Sequence, residues 1–195
     1  MLADQIAVLI SSLNLAPAAF YGCSSAGLAA LSLVAQHPEI VRNAIVHEAA
    51  LVRDSVLPDA TAALFSLNDL DDEAIVKKCK DLFRNQLNSN VRAWDAVGQE
   101  YHRRLGRNYV TWVRHYLWAR LADQTYTAGE LAYRPISWSV GSLRENWIVA
   151  TNVEVARRAN LRVQSLPCKH FPQVEIPDSL AARIRAHTKV HTVRT

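Results

Sequence analysis

Ser24 is the residue of this 195-residue chain best suited to do chemistry. It stands in Gly22-Cys23-Ser24-Ser25-Ala26-Gly27, after the apolar run Ala18 to Tyr21 and before a stretch rich in alanine and leucine. Read as Gly-x-Ser-x-Ala, the stretch fits a nucleophile elbow, a tight strand-to-helix turn that lifts one side chain above the end of a sheet. Such a turn needs small neighbours, because the nucleophile's backbone is strained and the helix passes close to the strand. Gly22, with Ala26 or Gly27, supplies the missing bulk. The competing reading is an ordinary strand-to-helix turn whose serines cap the helix.

A serine hydroxyl is a poor nucleophile at neutral pH. It needs a neighbouring base, and the base needs a carboxylate that fixes its tautomer and stabilises its cation. Of the seven histidines, His170 alone falls on a short loop at the carboxyl end of an expected strand, the edge where doubly wound sheets gather their sites. His37 reads as a helix-end residue beside Pro38, and His102, His115, His187 and His191 as helix surface or tail.

The elements that must hold these groups are legible from hydrophobic periodicity. Residues 3–14 form an amphipathic helix with Ile6, Leu9, Ile10 and Leu13 on one face. A strand at 18–21, a helix at about 26–36 and a strand at 41–46 have the spacing of a right-handed parallel crossover, with Glu48 just past its end. From about 51 to 131 the pattern is helical without strands, including a helix capped within 68–72 and helices around 91–105 and 108–122. Strands return at 136–140 and 161–166, with a helix around 148–159 between them and a last helix beginning near Asp178.

Composition bounds the answer. Half of the chain is apolar, enough for a sizeable core, and the net charge of +4 comes without a like-charge run of the kind that forms a nucleic-acid tail. The three cysteines, Cys23, Cys79 and Cys168, are far apart and form no C-x-x-C pair, which argues against a disulfide framework or a structural zinc site. A reducing, cytoplasmic setting is expected, since the first twenty residues lack a basic region and carry Asp4 within a short apolar run.

In combination these motifs resemble the α/β-hydrolase superfamily, over essentially the whole chain. The resemblance rests on Gly22 to Gly27, then His37-Pro38-Glu39-Ile40-Val41-Arg42, then His47-Glu48, and on His170 after the last strand. It implies a partial α/β-hydrolase fold of about four mostly parallel strands with flanking helices. Residues 1–50 and 132–195 would be the core, and 51–131 a helical lid insertion. It implies Ser24 as nucleophile, His170 as base and the Ser25 backbone N–H as an oxyanion donor.

For the acid, the commonest place in the family follows the strand ending at Gly141, where Glu145 is available. Some members put it after the strand that follows the elbow, where Glu48 lies 48 − 24 = 24 residues beyond Ser24. Glu48 is the preferred acid and Glu145 the alternative. On the lid, Tyr109, Trp112 and Tyr116 share one helical stripe. They are the expected substrate-binding residues, although a stripe at this spacing also reads as a core face.

The implied activity is a serine hydrolase acting on an ester, lactone or similar small carbonyl substrate through an acyl-enzyme, with no cofactor or metal. The absence of an Asp at the elbow argues against branches with a carboxylate nucleophile. In the family, four strands and a loop bearing half of the oxyanion hole precede the helix with which this chain begins. A second reading is therefore a truncated, non-catalytic relative or interaction module. The strand at 18–21 would then be an exposed edge, and self-association is expected. Nucleic-acid binding through the aromatic stripe and Arg107, Arg114 and Arg120 is a third reading.

Overall fold

A computed structural model describes residues 2–51, 64, 66–117, 126–143 and 147–190. Four strands, β1 (Ala18–Cys23), β2 (Val41–His47), β3 (Ile136–Gly141) and β4 (Val163–Leu166), form one sheet in the order β1-β2-β3-β4. All pairings are parallel, with Cys23 opposite His47, His47 opposite Ser139 and Gly141 opposite Leu166. The four carboxyl ends therefore lie along one edge of the sheet. Among the described residues β1 is an outer strand.

β2 is buried on both faces apart from Arg42, as expected of a central parallel strand. On one face Ala44, Val46 and Trp138 join the main core with α1 (Leu2–Ser12), α2 (Ser25–Gln36), the short α6 (Ala128–Leu131) and α7 (Trp147–Arg158). α2 ends at His37-Pro38 because proline disfavours helical backbone in the residue before it. His37 Nε2 then lies 2.9 Å from Asp4 Oδ1 on α1. The opposite face carries polar groups and is covered by α9 (Pro177–Val190). There Asn43 Nδ2 donates to the His187 carbonyl at 3.1 Å, and the Ser137 hydroxyl lies 2.8 Å from His187 Nδ1. His187 is thus half-buried against the sheet, which corrects its reading as surface or tail. The spacing within α9 gives a face but does not say which polar groups wait on the strands.

Between β2 and β3 the described chain is helical: α3 (Asp72–Asp81), α4 (Val91–Ala96) and α5 (Gln99–Thr111). α3 begins where the Asp71 side chain accepts from the Ala74 N–H at 2.8 Å. α3 and α5 each continue into a π-helical stretch, Leu82–Asn88 and Trp112–Leu117. The single helix expected over 91–105 is broken at Gly98, whose φ of +92° is one that glycine adopts without steric cost. Leu67, Ile75, Cys79, Tyr109, Val113 and Leu117 form a core of their own. Arg114 is engaged within this segment by the carbonyls of Asn68 and Leu70 and by Asp72.

Candidate active site

Ser24 joins β1 to α2 with φ 56° and ψ −123°, a conformation costing a non-glycine residue about 1–3 kcal/mol. Main-chain bonds hold it there. Its N–H donates to the His47 carbonyl at 3.0 Å, and its carbonyl accepts from Gly27 at 2.9 Å and Ala50 at 3.0 Å. The side chain makes no capping bond to α2, so capping does not account for this serine. Gly22 is a close-approach glycine: a Cβ there would stand 2.3 Å from the Ala26 carbonyl oxygen.

Glu48 follows β2 directly and is also at positive φ, 40°. It is fully buried, and both carboxylate oxygens are used. Oε2 accepts from His170 Nδ1 at 2.6 Å, and Oε1 accepts from the Gly141 backbone N–H at 2.7 Å. His47 lies farther off, its Nε2 3.9 Å from Oε1. Burial, the strongest influence, pushes the Glu48 carboxyl up, but the hydrogen bond and charge of His170, the Gly141 N–H and His47 together hold it below its ordinary 4.5. The pairing of Glu48 is thus with His170, 122 residues away, rather than with its chain neighbour.

His170 is itself fully buried. With Nδ1 donating to Glu48, the lone pair falls on Nε2, a buried atom without a hydrogen-bond partner among the described residues. The elbow meets this histidine through Cys23, whose Sγ donates to the His170 carbonyl at 3.2 Å. Gly141 does two things here. Its N–H holds Glu48, and its missing Cβ makes room for the histidine loop, since a Cβ there would lie 2.3 Å from the Lys169 oxygen and 2.5 Å from that of Cys168. Behind Glu48, the buried Asn152 donates to the Ala49 carbonyl at 2.8 Å and accepts from Trp138 Nε1 at 2.8 Å, which fixes the chain just after the carboxylate.

The second buried histidine, His47, has its Nδ1 3.0 Å from the Ser139 hydroxyl, which donates onward to the Val46 carbonyl at 3.2 Å. The hydroxyl proton being committed, His47 Nδ1 is the donor. Burial foremost pushes this imidazole down to about 4, against the opposing charge of Glu48, so it is neutral near pH 7.

The structure brings Glu48 and His170 into direct contact and joins the elbow to the histidine loop through Cys23, while among the described residues no hydrogen bond links the Ser24 hydroxyl to His170 Nε2. Ser25 opens α2, where its backbone N–H belongs to the helix N-terminus beside Ser24. Glu145 lies outside the described residues. Tyr109 is buried and Trp112 half-buried in the helical core, while Tyr116 is 36% exposed.

His170 itself meets a different aromatic residue, Phe171, with ring centroids 4.6 Å apart. Phe171 stacks on Phe83 with ring centroids 6.0 Å apart and meets Trp94 at 6.1 Å. Cys23, Leu87 and Tyr101 also pack into this cluster. Phe83 in turn touches Tyr109 at 5.1 Å and Trp112 at 5.2 Å, so Phe83, with Leu105, connects the expected stripe to the cluster at the histidine loop. Gly141, Asn152, Phe83, Trp94 and Phe171 were not anticipated. Only Gly141, a glycine at the end of an apolar strand, carried a sequence signal. Among the described residues no group of three or more His, Cys, Asp and Glu is placed to hold a metal ion. None of the described helices is long and apolar enough to cross a membrane.

Two curated proteins match this chain closely enough to decide its family. It is 31% identical over 189 residues to the zearalenone hydrolase of Cladophialophora bantiana, covering 96% of this chain and 68% of that protein. The chain belongs to the α/β-hydrolase superfamily. It is likewise 30% identical over 196 residues to the zearalenone hydrolase of Bionectria ochroleuca, covering 97% of this chain and 70% of the relative. No family model matches the sequence.

Solved α/β-hydrolases share the fold. A hydrolase from Pseudomonas aeruginosa superposes with a TM-score of 0.70 at 18% identity, over 96% of this chain and 70% of that one. An N-acyl homoserine lactone degrading enzyme superposes with a TM-score of 0.64 at 18% identity, over 94% and 72%. The parallel sheet with flanking helices is thus the expected α/β-hydrolase core, and the protein is a hydrolase.

Proposed function

We propose that this α/β-hydrolase is a serine hydrolase that opens a lactone through an acyl-enzyme on Ser24. The observation that carries the reading is the buried Glu48–His170 bond of 2.6 Å, with the second Glu48 oxygen held by Gly141. Nδ1 is committed as a donor, so Nε2 keeps the lone pair a general base needs.

His170 Nε2 takes the proton of the Ser24 hydroxyl as its oxygen attacks the ester carbonyl. Glu48 stabilises the imidazolium that forms, and the Ser25 N–H donates to the tetrahedral oxyanion. Collapse breaks the C–O bond of the ring, and His170 returns the proton to the leaving alkoxide. In a lactone that alkoxide stays tethered to the acyl group. Water, deprotonated by the same histidine, then releases the hydroxy acid and restores Ser24.

A lactone is favoured over a simple ester by the two relatives, both zearalenone hydrolases. Phe83, Trp94 and Phe171 suit an apolar, aromatic-bearing substrate beside the histidine. The helices between β2 and β3 act in this reading as the lid, residues 51–131 of the sequence.

A fluorophosphonate probe tests the reading. The expected result is one adduct on intact protein, mapped to Ser24, abolished by Ser24→Ala and accompanied by loss of zearalenone ring opening. Zearalenone opened equally well by the Ser24→Ala protein would overturn it, and no labelling with no turnover would favour the alternative of a non-catalytic relative.

A further inference from the structure

The histidine loop is gripped from two sides, and only one of them belongs to the site described so far. On the sheet side stand Glu48 and Gly141. On the other side, Glu175 at the end of α8 (Pro172–Glu175) uses its two oxygens on different parts of the molecule. Oε1 accepts from the backbone N–H of Lys169, the residue before His170, at 3.0 Å. Oε2 accepts from Asn90 Nδ2 at 2.8 Å. Asn90 is the residue that caps α4, its Oδ1 accepting from Ala93 N–H at 3.2 Å. The same turn is tied twice more, because Lys169 Nζ donates to the Ser89 carbonyl and the buried Asn88 donates to the Asn90 carbonyl at 2.8 Å. Trp94 of α4 meanwhile packs on Phe171, the residue after His170. One short helix of the segment between β2 and β3 thus touches the chain on both sides of the histidine.

We infer that Glu175 is a positioning residue for His170, a carboxylate bridge that sets the histidine loop by the position of α4. The inference rests on the reading of His170 as the base. A carboxylate is suited to the place because it accepts from two donors at once, one backbone and one side chain. Neither donor is a group that reacts, so the effect reaches the chemistry only through where His170 stands. A displacement on the order of 1 Å in a catalytic group costs up to about 10²-fold in rate.

Chemistry selects the variants. Glu175→Gln keeps an oxygen for Lys169 but turns an NH₂ toward the Asn90 NH₂, and Asn90→Ser keeps a capping oxygen but removes the NH₂ that reaches Glu175. Each breaks the α4 end of the bridge alone. Glu175→Gln combined with Asn90→Asp reverses the donor and acceptor and restores it.

Two readouts are taken on the full chain. In turnover of zearalenone, each single variant is expected to lower kcat about 10- to 100-fold with little change in KM. The Glu175→Gln, Asn90→Ser double variant should be no worse than either single one, and Glu175→Gln with Asn90→Asp should recover the rate. By proton NMR, the downfield His170 Nδ1–H resonance, which reports the Glu48 bond without any turnover, should shift in the single variants and return in the rescued pair. A resonance and kcat unmoved in both single variants, with Ser24 still labelled by fluorophosphonate, would overturn the inference while leaving the serine hydrolase reading intact. If that reading itself fails, labelling and turnover are absent in the unmodified chain, and the resonance alone decides for or against the bridge.

Discussion

Glu48→Gln is the sharpest test of the proposed triad, because both oxygens of this buried carboxylate are committed. The amide must aim one oxygen and one NH₂ at two N–H donors. Aiming the oxygen at Gly141 presents the NH₂ to His170 Nδ1, which must then become the acceptor. The ring proton moves to Nε2 and the base is lost. Aiming the oxygen at His170 instead sets the NH₂ against the Gly141 N–H, which leaves a buried donor unsatisfied at a cost of about 1–3 kcal/mol. The first arrangement is the cheaper, so the wrong tautomer dominates.

Amide replacement in a serine protease triad lowers kcat by about 10⁴, equivalent to about 5 kcal/mol on the barrier, and a loss of that order is expected here with KM nearly unchanged. The assay is zearalenone ring opening followed by absorbance, with fluorophosphonate labelling rate as a measure independent of substrate. Folding is checked by urea denaturation. Glu145→Gln is the control and should be nearly silent. A Glu48→Gln protein that is folded and retains kcat within tenfold, or a large loss at Glu145 alone, would refute the assignment.

Other outcomes follow from single contacts. Gly141→Ala should cost at least about 1–3 kcal/mol in urea unfolding, and at least tenfold in kcat, because the new Cβ collides with backbone that cannot swing aside and not with a flexible side chain; unchanged values would contradict the close approach. Ser24→Gly should abolish labelling yet raise stability by about 1 kcal/mol or more, since glycine adopts the φ of 56° without the penalty Ser24 bears; a less stable variant would show that the elbow is not strained.

His47 makes a prediction about pH. Its proton is bound at 6.5 in the unfolded chain and only at about 4 in the folded one. The unfolded state binds more protons in that window, so the contribution is fully present above pH 6.5 and is lost as pH falls toward 4, in total about 3 kcal/mol. His47→Asn, which keeps a donor for Ser139, should flatten the urea midpoint across that window. Equal slopes in both proteins would dispose of the idea. Glu48, held below its ordinary 4.5, adds a further loss only at lower pH.

What the sequence disclosed was whatever chemistry and spacing make local. The strand-to-helix turn was legible because Gly22, Ser24 and Gly27 sit close together in sequence and the two glycines are small for a steric reason. The parallel order of β1 and β2 was legible because a strand, a helix and a strand of those lengths admit one handed connection. His170 was legible as a loop residue after an apolar strand.

The choice of acid was not, because Glu48 and Glu145 both follow strand ends in the right chain order. The folded position of His170 puts Glu48 at its Nδ1. Helical spacing likewise marked Tyr109, Trp112 and Tyr116 as a face, but spacing cannot say what a face meets. The meeting point proved to be Phe83, on another helix. Glu175 offered no signal at all, since its partners, Lys169 and Asn90, are related by nothing periodic.

The neighbours β2 and β3 are separated along the chain by the whole stretch from Glu48 to Pro135. In space they are one strand apart. Lengthening a connection costs little, about 0.6 kcal/mol for each doubling of a flexible loop, so this excursion can grow, shrink or be rewritten while the register of His47 opposite Ser139 stands. The proposed reacting groups ride on the sheet's edge, whereas Phe83 and Trp94 ride on the excursion and Phe171 on the histidine loop itself. In the proposed reading, selection can therefore act on the excursion and on the sheet's edge at partly separate rates, coupled where Glu175, Lys169 and Phe171 tie the two together.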